Sequence, residues 1–301
     1  MSKPRPTLLS VVVPSVNGWG DLSGCLAALD IERHDCSIEV IVPERCGAEV
    51  QNSISERYPW VRVIPVASGT TIPQMRAYAF AVASSPGVAV IEDHIQVPPG
   101  WAGKMVSALT NGHRVVGGGL VNGATEHIVD WAAFYCEYSQ LVAPGETGPT
   151  TRLTGNNTAY DRELLVEFRD TVEAGRWEDF LHTAFRRRGI VLWNRPDITV
   201  RHKKHYTVPE YLSQRFLYAR AFAGMRMDQA GPLRRFTVGA LTVVLPPVLL
   251  WRIISRVWRS KPHRGSLVKS LPLLALFVSV WGLGEAVGSW FGKGNALARV
   301  R

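Results

Sequence analysis

The chain has 301 residues, of which 46% are apolar, so it can bury a substantial core in one large domain with an appendage or in two modest domains. Residues 226–301 carry 12 Lys and Arg against 2 Asp and Glu, which leaves 22 and 23 for the first 225 residues, a net charge of −1. Because the basic excess accompanies the most hydrophobic part of the sequence, it favours an anionic membrane surface as a partner and disfavours nucleic acid. The four cysteines lack metal-ligand spacing, which indicates reduced thiols in the cytosol and no disulfide framework.

The first half of the chain alternates short apolar runs with helix-like stretches. Predicted strands cover residues 8–14, 37–43, 61–66 and 88–91, and predicted helices cover residues 21–29 and 73–84. This alternation predicts a parallel sheet with crossover helices. Ligands of such sheets bind beyond the carboxyl ends of the strands, where polar residues follow Val13, Val42 and Ile91.

The second half is less regular. Residues 115–160 are predicted to form further strands and loops, with glycine-rich breaks. Residues 177–188 predict an amphipathic helix, because acids occupy its first turn and arginines its last, and Gly189 follows. A strand-like run at residues 197–200 precedes another predicted helix at residues 209–227.

Two hydrophobic stretches end the chain. Residues 236–251 contain no charge but are interrupted by Pro246 and Pro247, whereas residues 270–292 contain one charge, Glu285. Since a membrane span needs about 20 apolar residues, the second stretch is the better candidate. The basic residues between the stretches favour a cytosolic linker, with the first stretch dipping into the membrane or lying at its interface. The alternative is a buried hydrophobic hairpin in a soluble protein.

The order of these features over residues 8–225 resembles that of family 2 glycosyltransferases with the GT-A fold. The opening SVVVPSVN resembles the first strand and nucleotide-contacting turn of that family, which implies that Pro14, Ser15 and Asn17 lie near a nucleotide. The family usually has paired aspartates after the second strand, and here only Glu44 can take that base- or ribose-binding part. PQMRAYAFAVAS resembles the helix whose arginine faces the donor, which singles out Arg76.

The segment VIEDHIQVPPGW resembles the metal-binding acidic turn of the family, whose usual pattern is Asp-x-Asp. Here the turn reads Glu92-Asp93-His94, which implies a divalent cation, Mn²⁺ or Mg²⁺, and histidine suits Mn²⁺ or a softer metal better than Mg²⁺. His202 resembles a histidine that holds metal or diphosphate in related enzymes, and His205 is an alternative. Taken alone, the same residues are also compatible with a polar turn that binds no metal.

Two later segments carry the remaining resemblance. LTGNNTAYDRE resembles the turn beside the transferred sugar, which implies that Gly155, Asn156 and Asn157 contact the donor sugar; an ordinary turn is the alternative. WEDF resembles the Glu-Asp pair whose aspartate is the catalytic base, which implies that role for Asp179 with Glu178 as its neighbour. A helix N-terminus lowers the pKa of a carboxylate, so we expect Asp179 to be ionised, although acids in a first turn are also common as simple caps.

A further segment argues against one branch of the family. Gln214 and Arg215 lie where processive relatives carry Gln-x-x-Arg-Trp, but positions 217 and 218 are Leu and Tyr. This mismatch disfavours a processive polymerase.

Together these features predict an α/β chain with a GT-A catalytic domain, which has a Rossmann-like, mostly parallel sheet, and a hydrophobic helical membrane region. The predicted catalytic domain covers residues 1–228, with a nucleotide-sugar-binding half at 1–120 and an acceptor half at 121–228, and the membrane-associated region covers residues 229–301.

The resemblance implies an inverting, metal-dependent glycosyltransferase of hexosyltransferase type, membrane-associated with its catalytic domain cytosolic. Its donor would be a nucleotide sugar and its acceptor a lipid-linked saccharide or an envelope polysaccharide. The competing hypothesis is a catalytically inactive, membrane-bound nucleotide-sugar-binding protein, motivated by the departures at Glu44 and at Glu92-Asp93-His94. A nucleotidyltransferase would need basic residues in the loop 15–21, which lacks them.

Overall fold

The computed structural model describes residues 7–142 and 145–301. The strands in these residues are β1 (Leu9–Val12), β2 (Ile38–Glu44), β3 (Arg62–Pro65), β4 (Gly87–Ile91), β5 (Ile95–Gln96), β6 (Val115–Asn122), β7 (Gly148–Thr150), β8 (Asn157–Asp161) and β9 (Leu192–His202). The α-helices are α1 (Trp19–Asp35), α2 (Ala48–Arg57), α3 (Ile72–Val82), α4 (Trp101–Thr110), α5 (Ile128–Tyr138), α6 (Arg162–Glu167), α7 (Arg169–Glu173), α8 (Glu178–Arg187), α9 (Val208–Arg226), α10 (Pro232–Leu241), α11 (Leu245–Trp258), α12 (Arg264–Phe291) and α13 (Ala296–Arg299).

The strands form one mixed sheet in the order β3-β2-β1-β4-β8-β6-β9-β5, and β7 pairs with β9. The first four strands of this order are parallel, as the continuous apolar runs predicted, and every residue of β1 and β4 is buried. The strand β8 then pairs antiparallel with both β4 and β6, and β9 pairs antiparallel with β5 and β7. The carboxyl ends of β1, β2 and β4 therefore lie at one edge, as expected for a sheet of this kind.

The helix α3 shows how local sequence sets an element in this fold. Thr71 and Gln74 form a reciprocal capping box, and Pro73 occupies the first turn, where its missing N–H is not needed. This start places Arg76 on the buried face of the helix.

The prediction of only strands and loops for residues 115–160 was wrong, since α5 lies within this range. The helix sequence IVDWAAFYCEY is rich in aromatic and β-branched residues, which favour strands when considered alone. Six of its eleven residues are buried, and that packing outweighs the local propensity.

The described residues divide into two compact units, of which the first comprises residues 7–121 and 145–203 and the second residues 122–142 and 204–301. In the first unit, a core of aliphatic and aromatic side chains from β1, β2, β4, β8 and α8 packs around the sheet. The second unit contains α5 and α9 through α13. The helix α9 thus belongs with the hydrophobic end of the chain, and the proposed functional boundary at residue 228 stays a prediction.

Within the second unit, α12 packs closely against α9. A Cβ atom added to Gly284 would lie 2.7 Å from the carbonyl oxygen of Phe216, and one added to Gly288 would lie 2.9 Å from Cβ of Ala223. Small residues spaced four apart permit this close approach of two helices. The one charge inside the apolar stretch, Glu285, accepts a hydrogen bond from Arg226 at 2.5 Å.

Two stretches of this unit, Pro232–Trp258 and Lys261–Phe291, are long and apolar enough to cross a membrane. Most of the predicted basic linker, residues 252–269, belongs to α11 and α12, and its cytosolic position stays a prediction. The connection is reduced to Arg259, Ser260 and a short turn of 3₁₀ helix at Lys261–His263. The two prolines at 246 and 247 begin α11, which is a position where a helix tolerates proline.

Candidate active site

Three of the predicted metal-binding side chains meet at the carboxyl end of β4. His94 Nε2 lies 3.3 Å from Glu92 Oε2 and 3.0 Å from His202 Nε2. His202 ends β9 and is brought opposite this turn by the pairing of β5 with β9, in which it is the partner of Ile95. Their three ligand atoms lie within 4.8 Å of one another, and no other such group of histidine, cysteine or acidic side chains occurs among the described residues. Two imidazoles and one carboxylate form a donor set for a divalent cation.

Asp93, by contrast, points away from this cluster and into the protein. Its Oδ2 accepts hydrogen bonds from the backbone N–H groups of Val16 (2.8 Å) and Asn17 (2.9 Å), and its Oδ1 accepts one from Nδ2 of Asn17 (2.7 Å). Its Oδ1 also lies 3.1 Å from Nδ1 of His94. Burial by itself raises the pKa of Asp93, but the hydrogen bond and charge of His94, with the donors on Val16 and Asn17, lower it overall.

The contact with Asp93 determines how His94 presents its ring. When Nδ1 donates to the carboxylate, the lone pair of neutral His94 is on Nε2, which faces Glu92 and His202. Burial alone lowers the pKa of His94, but hydrogen bonds to Asp93 and Glu92 raise it to about 9. A proton and a cation therefore compete for the same Nε2 atom.

A buried arginine connects this cluster to the start of α8. Arg76 Nη1 donates to Oε2 of Glu178 at 2.6 Å, and Arg76 Nη2 lies 3.9 Å from Oε1 of Glu92. Glu92 Oε2 also accepts a hydrogen bond from Nδ2 of Asn156 at 3.1 Å. Burial alone raises the pKa of Glu92, but the hydrogen bond from His94 and the charges of His94, Arg76 and His202 lower it to about 2. Glu92 is therefore ionised over the whole physiological range.

The predicted acid pair lies beside the glycine turn. A Cβ atom at Gly155 would collide with the carboxylate of Glu178, so only glycine allows Glu178 to occupy this position. Asp179 follows in the first turn of α8, and its Oδ1 lies 3.8 Å from Nη2 of Arg152. The expectation of a lowered pKa was wrong, because burial and the charge of Glu178 raise the pKa of Asp179, and the opposing charge of Arg152 does not cancel them. A carboxylate with a raised pKa is a stronger base.

The predicted nucleotide-contacting residues lie at the ends of β1 and β2. Pro14 and Ser15 are buried, and the Ser15 N–H donates to the carbonyl of Pro43 at 2.8 Å. The buried carboxylate of Glu44 accepts from the backbone N–H groups of Cys46 and Gly47 and from Nε2 of Gln51 at 2.9 Å. These bonds hold the turn that begins α2, and nucleotide contact by Glu44 stays a prediction.

Asn156 and Asn157 differ in their surroundings. Asn156 reaches the cluster through Glu92, whereas Asn157 is fully buried and donates to the carbonyls of Gly119 at 2.9 Å and Ile198 at 2.8 Å. Its Oδ1 accepts from Nε1 of Trp101 at 3.0 Å. These bonds account for Asn157 as a residue that holds β6, β9 and α4 together, and its contact with a donor sugar stays a prediction.

The Pro-Pro-Gly-Trp segment has a structural explanation of its own. Glu32 on α1 accepts hydrogen bonds from the N–H groups of Gly100 at 2.6 Å and Ala102 at 2.7 Å, which caps the N-terminus of α4. Gly100 has φ 81°, a left-handed conformation that favours glycine. The segment therefore fixes the chain that follows the Glu92–His94 turn.

Sequence reasoning missed a polar pair beneath the site. Tyr160 Oη lies 2.8 Å from Nε2 of His182, and both residues are buried. Burial lowers the pKa of His182 to about 4, so its imidazole is neutral. A small pocket beside this pair is lined in part by Arg76, Glu178, Tyr160 and Arg176. The four-residue spacing of Glu178 and His182 on one helix face was the available signal.

Comparison with known proteins agrees with this fold. No protein-family model matches the sequence, and no curated protein sequence matches it. Among solved structures, the mannosyltransferase PcManGT from Pyrobaculum calidifontis, in complex with GDP-Man and Mn²⁺, matches 95% of this chain and 87% of its own with 15% identity and a TM-score of 0.54. TarS 1–349 from S. aureus matches 94% of this chain and 89% of its own with 13% identity and a TM-score of 0.49.

TarS 1–349 in complex with UDP-GlcNAc matches 93% of each chain with 15% identity and the same TM-score of 0.49. At these identities the likeness is one of fold, and the mannosyltransferase carries it. The α/β fold class predicted from the sequence is thereby confirmed, and the chain has the fold of GT-A glycosyltransferases.

Proposed function

We propose that the protein is an inverting, metal-dependent glycosyltransferase of hexosyltransferase type that takes its sugar from a nucleotide-sugar donor. The observation that carries the proposal is the convergence of Glu92, His94 and His202 at the carboxyl edge of a sheet with this fold. The most similar fold above belongs to a mannosyltransferase in complex with GDP-Man and Mn²⁺, which supports both a sugar nucleotide and a cation here.

The residues of the cluster fit a divalent cation. Glu92 is ionised. In the neutral form of His94, the bond between its Nδ1 and Asp93 leaves the Nε2 lone pair directed at the other two donors. A set of two imidazoles and one carboxylate suits Mn²⁺ and softer divalent ions better than Mg²⁺. When bound, the cation supplies positive charge that stabilises the departing nucleoside diphosphate.

We propose that Asp179 is the base. Its carboxylate takes the proton of the acceptor hydroxyl while that oxygen bonds to the anomeric carbon and the bond from this carbon to the diphosphate oxygen breaks. Attack from the side opposite the leaving group inverts the configuration. The raised pKa of Asp179 favours proton transfer to it, and its ionised form is the reactive one.

Arg76 and Asn156 act on the donor side in this proposal. Arg76 is held between the carboxylates of Glu178 and Glu92, and Asn156 is bonded to Glu92, so both are fixed before substrate arrives. Fixed groups lose little freedom on binding, which favours a productive geometry. Pro14, Ser15, Asn17 and Glu44 are the proposed contacts of the nucleotide.

The acceptor is proposed to be a lipid-linked saccharide or an envelope polysaccharide, as in polysaccharide biosynthesis, with the catalytic part on the cytosolic side of the membrane. The two apolar helical stretches support the membrane association, because they would keep the enzyme where such an acceptor resides.

The experiment is release of nucleoside diphosphate from a panel of GDP- and UDP-sugars by the detergent-solubilised protein, with Mn²⁺, with Mg²⁺ and with chelator. We expect release with Mn²⁺, weaker release with Mg²⁺, and a loss of at least about 100-fold in His202→Ala. His113→Ala is the matched control, since His113 stacks on Trp193 at 4.0 Å outside the cluster. Donor binding without release across the whole panel would identify a binding protein and overturn the proposal.

A further inference from the structure

The long helix α12 is covered by protein along one face. Tyr135 Oη lies 2.6 Å from Oγ of Ser266, and the rings of Tyr211 and Phe277 have centroids 4.3 Å apart. Farther along, Gly284 and Gly288 receive α9 at backbone contact. One face of the helix is thus packed inside the second unit along most of its length.

The helices that cover it carry buried charge beside its apolar part. The guanidinium of Arg215 on α9 lies 4.2 Å from the ring of Trp281 and 4.6 Å from the ring of Tyr218. Arg215 Nη1 also lies 3.3 Å from a carboxylate oxygen of Glu137 on α5. If α12 crossed a bilayer, this ion pair would have to lie at the depth of the hydrocarbon, where charged side chains are costly.

Each of the two apolar stretches contains an uncharged run that is shorter than the hydrocarbon core of a bilayer is thick. Residues 236–251 and residues 270–284 are uncharged runs of 16 and 15 residues, with Arg235 and Arg252 bordering the first and Lys269 and Glu285 the second. At 1.5 Å per residue these runs reach about 24 Å, less than the roughly 30 Å hydrocarbon thickness.

The outer helices α10 and α11 expose large apolar side chains instead of burying them. Phe236 is 65% exposed, Leu241 68% and Trp251 68%. Residues 229–301 hold eleven Lys and Arg and one acid, and that acid, Glu285, is bonded to Arg226. An apolar helix surface in a segment with this excess of positive charge complements a bilayer leaflet with anionic headgroups.

We infer that the second unit is a monotopic membrane anchor. The helices α10 and α11 and the exposed apolar side chains of α12, such as Leu276 and Leu283, enter one leaflet rich in anionic phospholipid, and no helix of the unit crosses to the other side. The exposed Arg252 and Arg259 contact the phosphates of the same leaflet. This inference deepens the proposed membrane association and is independent of the transfer reaction, so its tests measure binding and sidedness only.

The first test is flotation of the full-length, detergent-purified chain with preformed vesicles after detergent removal. We expect binding at least about tenfold tighter to vesicles with one third phosphatidylglycerol than to phosphatidylcholine alone. Leu241→Glu weakens binding by about tenfold or more, whereas Val166→Glu, at a 62% exposed position of the first unit, leaves it unchanged. Equal binding to both vesicle types, or a water-soluble dimer that binds neither, overturns the inference.

Charge and sidedness are tested separately. Joint replacement of Arg252 and Arg259 by Gln weakens the preference for anionic vesicles, while joint replacement of Arg187 and Arg188 by Gln in the first unit does not. For sidedness, Ser260→Cys and Asn295→Cys are made separately in a chain with Cys36→Ser and Cys46→Ser, because they lie at opposite ends of α12.

A membrane-impermeant maleimide added outside the vesicles labels both sites if the helix does not cross. Labelling of one site only, with the other reacting after detergent is added, shows a crossing helix and overturns the inference.

Discussion

In the first unit, buried and half-buried charged groups face one another at one place, whereas in the second unit they form separate pairs. Arg76 lies between Glu178 and Glu92, and Glu92 lies against His94. In this arrangement Arg76 and Glu92 each face two charged or titratable groups. Such convergence in a cleft is typical of a site that binds a charged ligand.

The described residues of the second unit include three separate pairs, each joining two segments. They are Arg215 with Glu137, Arg226 with Glu285, and His205 with Asp130. His205, an alternative ligand in the sequence, is thus bonded to Asp130 at 2.8 Å. Each pair therefore contributes to the packing of the segments that it joins. In this molecule, charged groups that converge at one place indicate a ligand-binding site, whereas charged groups in separate pairs indicate a role in helix packing.

The largest effect is expected at the base. Asp179→Asn should lower the turnover of sugar transfer by about 10² to 10⁴-fold, because no carboxylate is then present to take the proton of the acceptor hydroxyl. Substrate KM and thermal midpoint should change little. Full turnover in Asp179→Asn would remove Asp179 from the mechanism.

In the second unit, removing the charge of a paired residue should lower the stability of the fold and leave sugar transfer unchanged. Arg215→Met keeps most of the apolar stem but leaves Glu137 without its cation and removes the contacts with Trp281 and Tyr218, which should cost about 2 kcal/mol. The measurement is thermal unfolding in detergent, followed by tryptophan fluorescence. Arg234→Met, at an exposed position of α10, is the matched control and should unfold like the unchanged protein. An unaltered midpoint in Arg215→Met would contradict the architectural role.

Asp93 tests the comparison inside the first unit, because it supports His94 without joining the ligand cluster. Asp93→Asn should weaken Mn²⁺ binding by about 10 to 100-fold. If the amide oxygen accepts from the N–H groups of Val16 and Asn17, the amide nitrogen donates to His94 Nδ1, and the neutral ring then carries its proton on Nε2. Free Mn²⁺ can be measured by its paramagnetic resonance signal without any substrate. Asp161→Asn, which alters a helix-capping carboxylate on β8, should leave the affinity unchanged. Equal affinities in both variants would show that Asp93 serves the fold alone.

The smallest effect is expected from Arg152. Its charge lowers the pKa of Asp179 against the larger effects of burial and Glu178, so Arg152→Ala should raise that pKa further. The ionised carboxylate is the active form. When the solution is acidified, the variant should therefore lose its activity at a higher pH than the unchanged protein does. The acid limb of the kcat/KM profile should therefore shift to higher pH by a small amount, because Arg152 is exposed. A shift to lower pH would contradict the assignment of Asp179.

Much of the sheet was predictable because its central strands are continuous apolar runs that no amphipathic helix would produce. The candidate ligands Glu92, His94 and His202 were also named from the sequence, by its resemblance to the metal-binding segments of family 2 glycosyltransferases. The direction in which a side chain points was not predictable. Asp93 was predicted to bind metal and Glu44 to bind the nucleotide, and the carboxylates of both accept hydrogen bonds from backbone N–H groups inside turns. Hydrogen-bond demand of a turn is a property of the folded backbone.

The helix α5 and the start of α11 at Pro246 and Pro247 were missed for a related reason. A helix rich in aromatic residues and a pair of prolines look unfavourable when each is judged alone. Tertiary burial and the position of the prolines at the first turn reverse both judgements.

The position of Arg76 between Glu92 and Glu178 has a consequence for the order of events. Any ligand that neutralises Glu92 weakens the hold of Glu92 on the guanidinium, so Arg76 then interacts more fully with Glu178. Occupation of one end of this three-residue chain thereby changes the free energy of occupation at the other, and by thermodynamic reciprocity the effect runs in both directions. The two substrates of such an enzyme would not bind independently of each other.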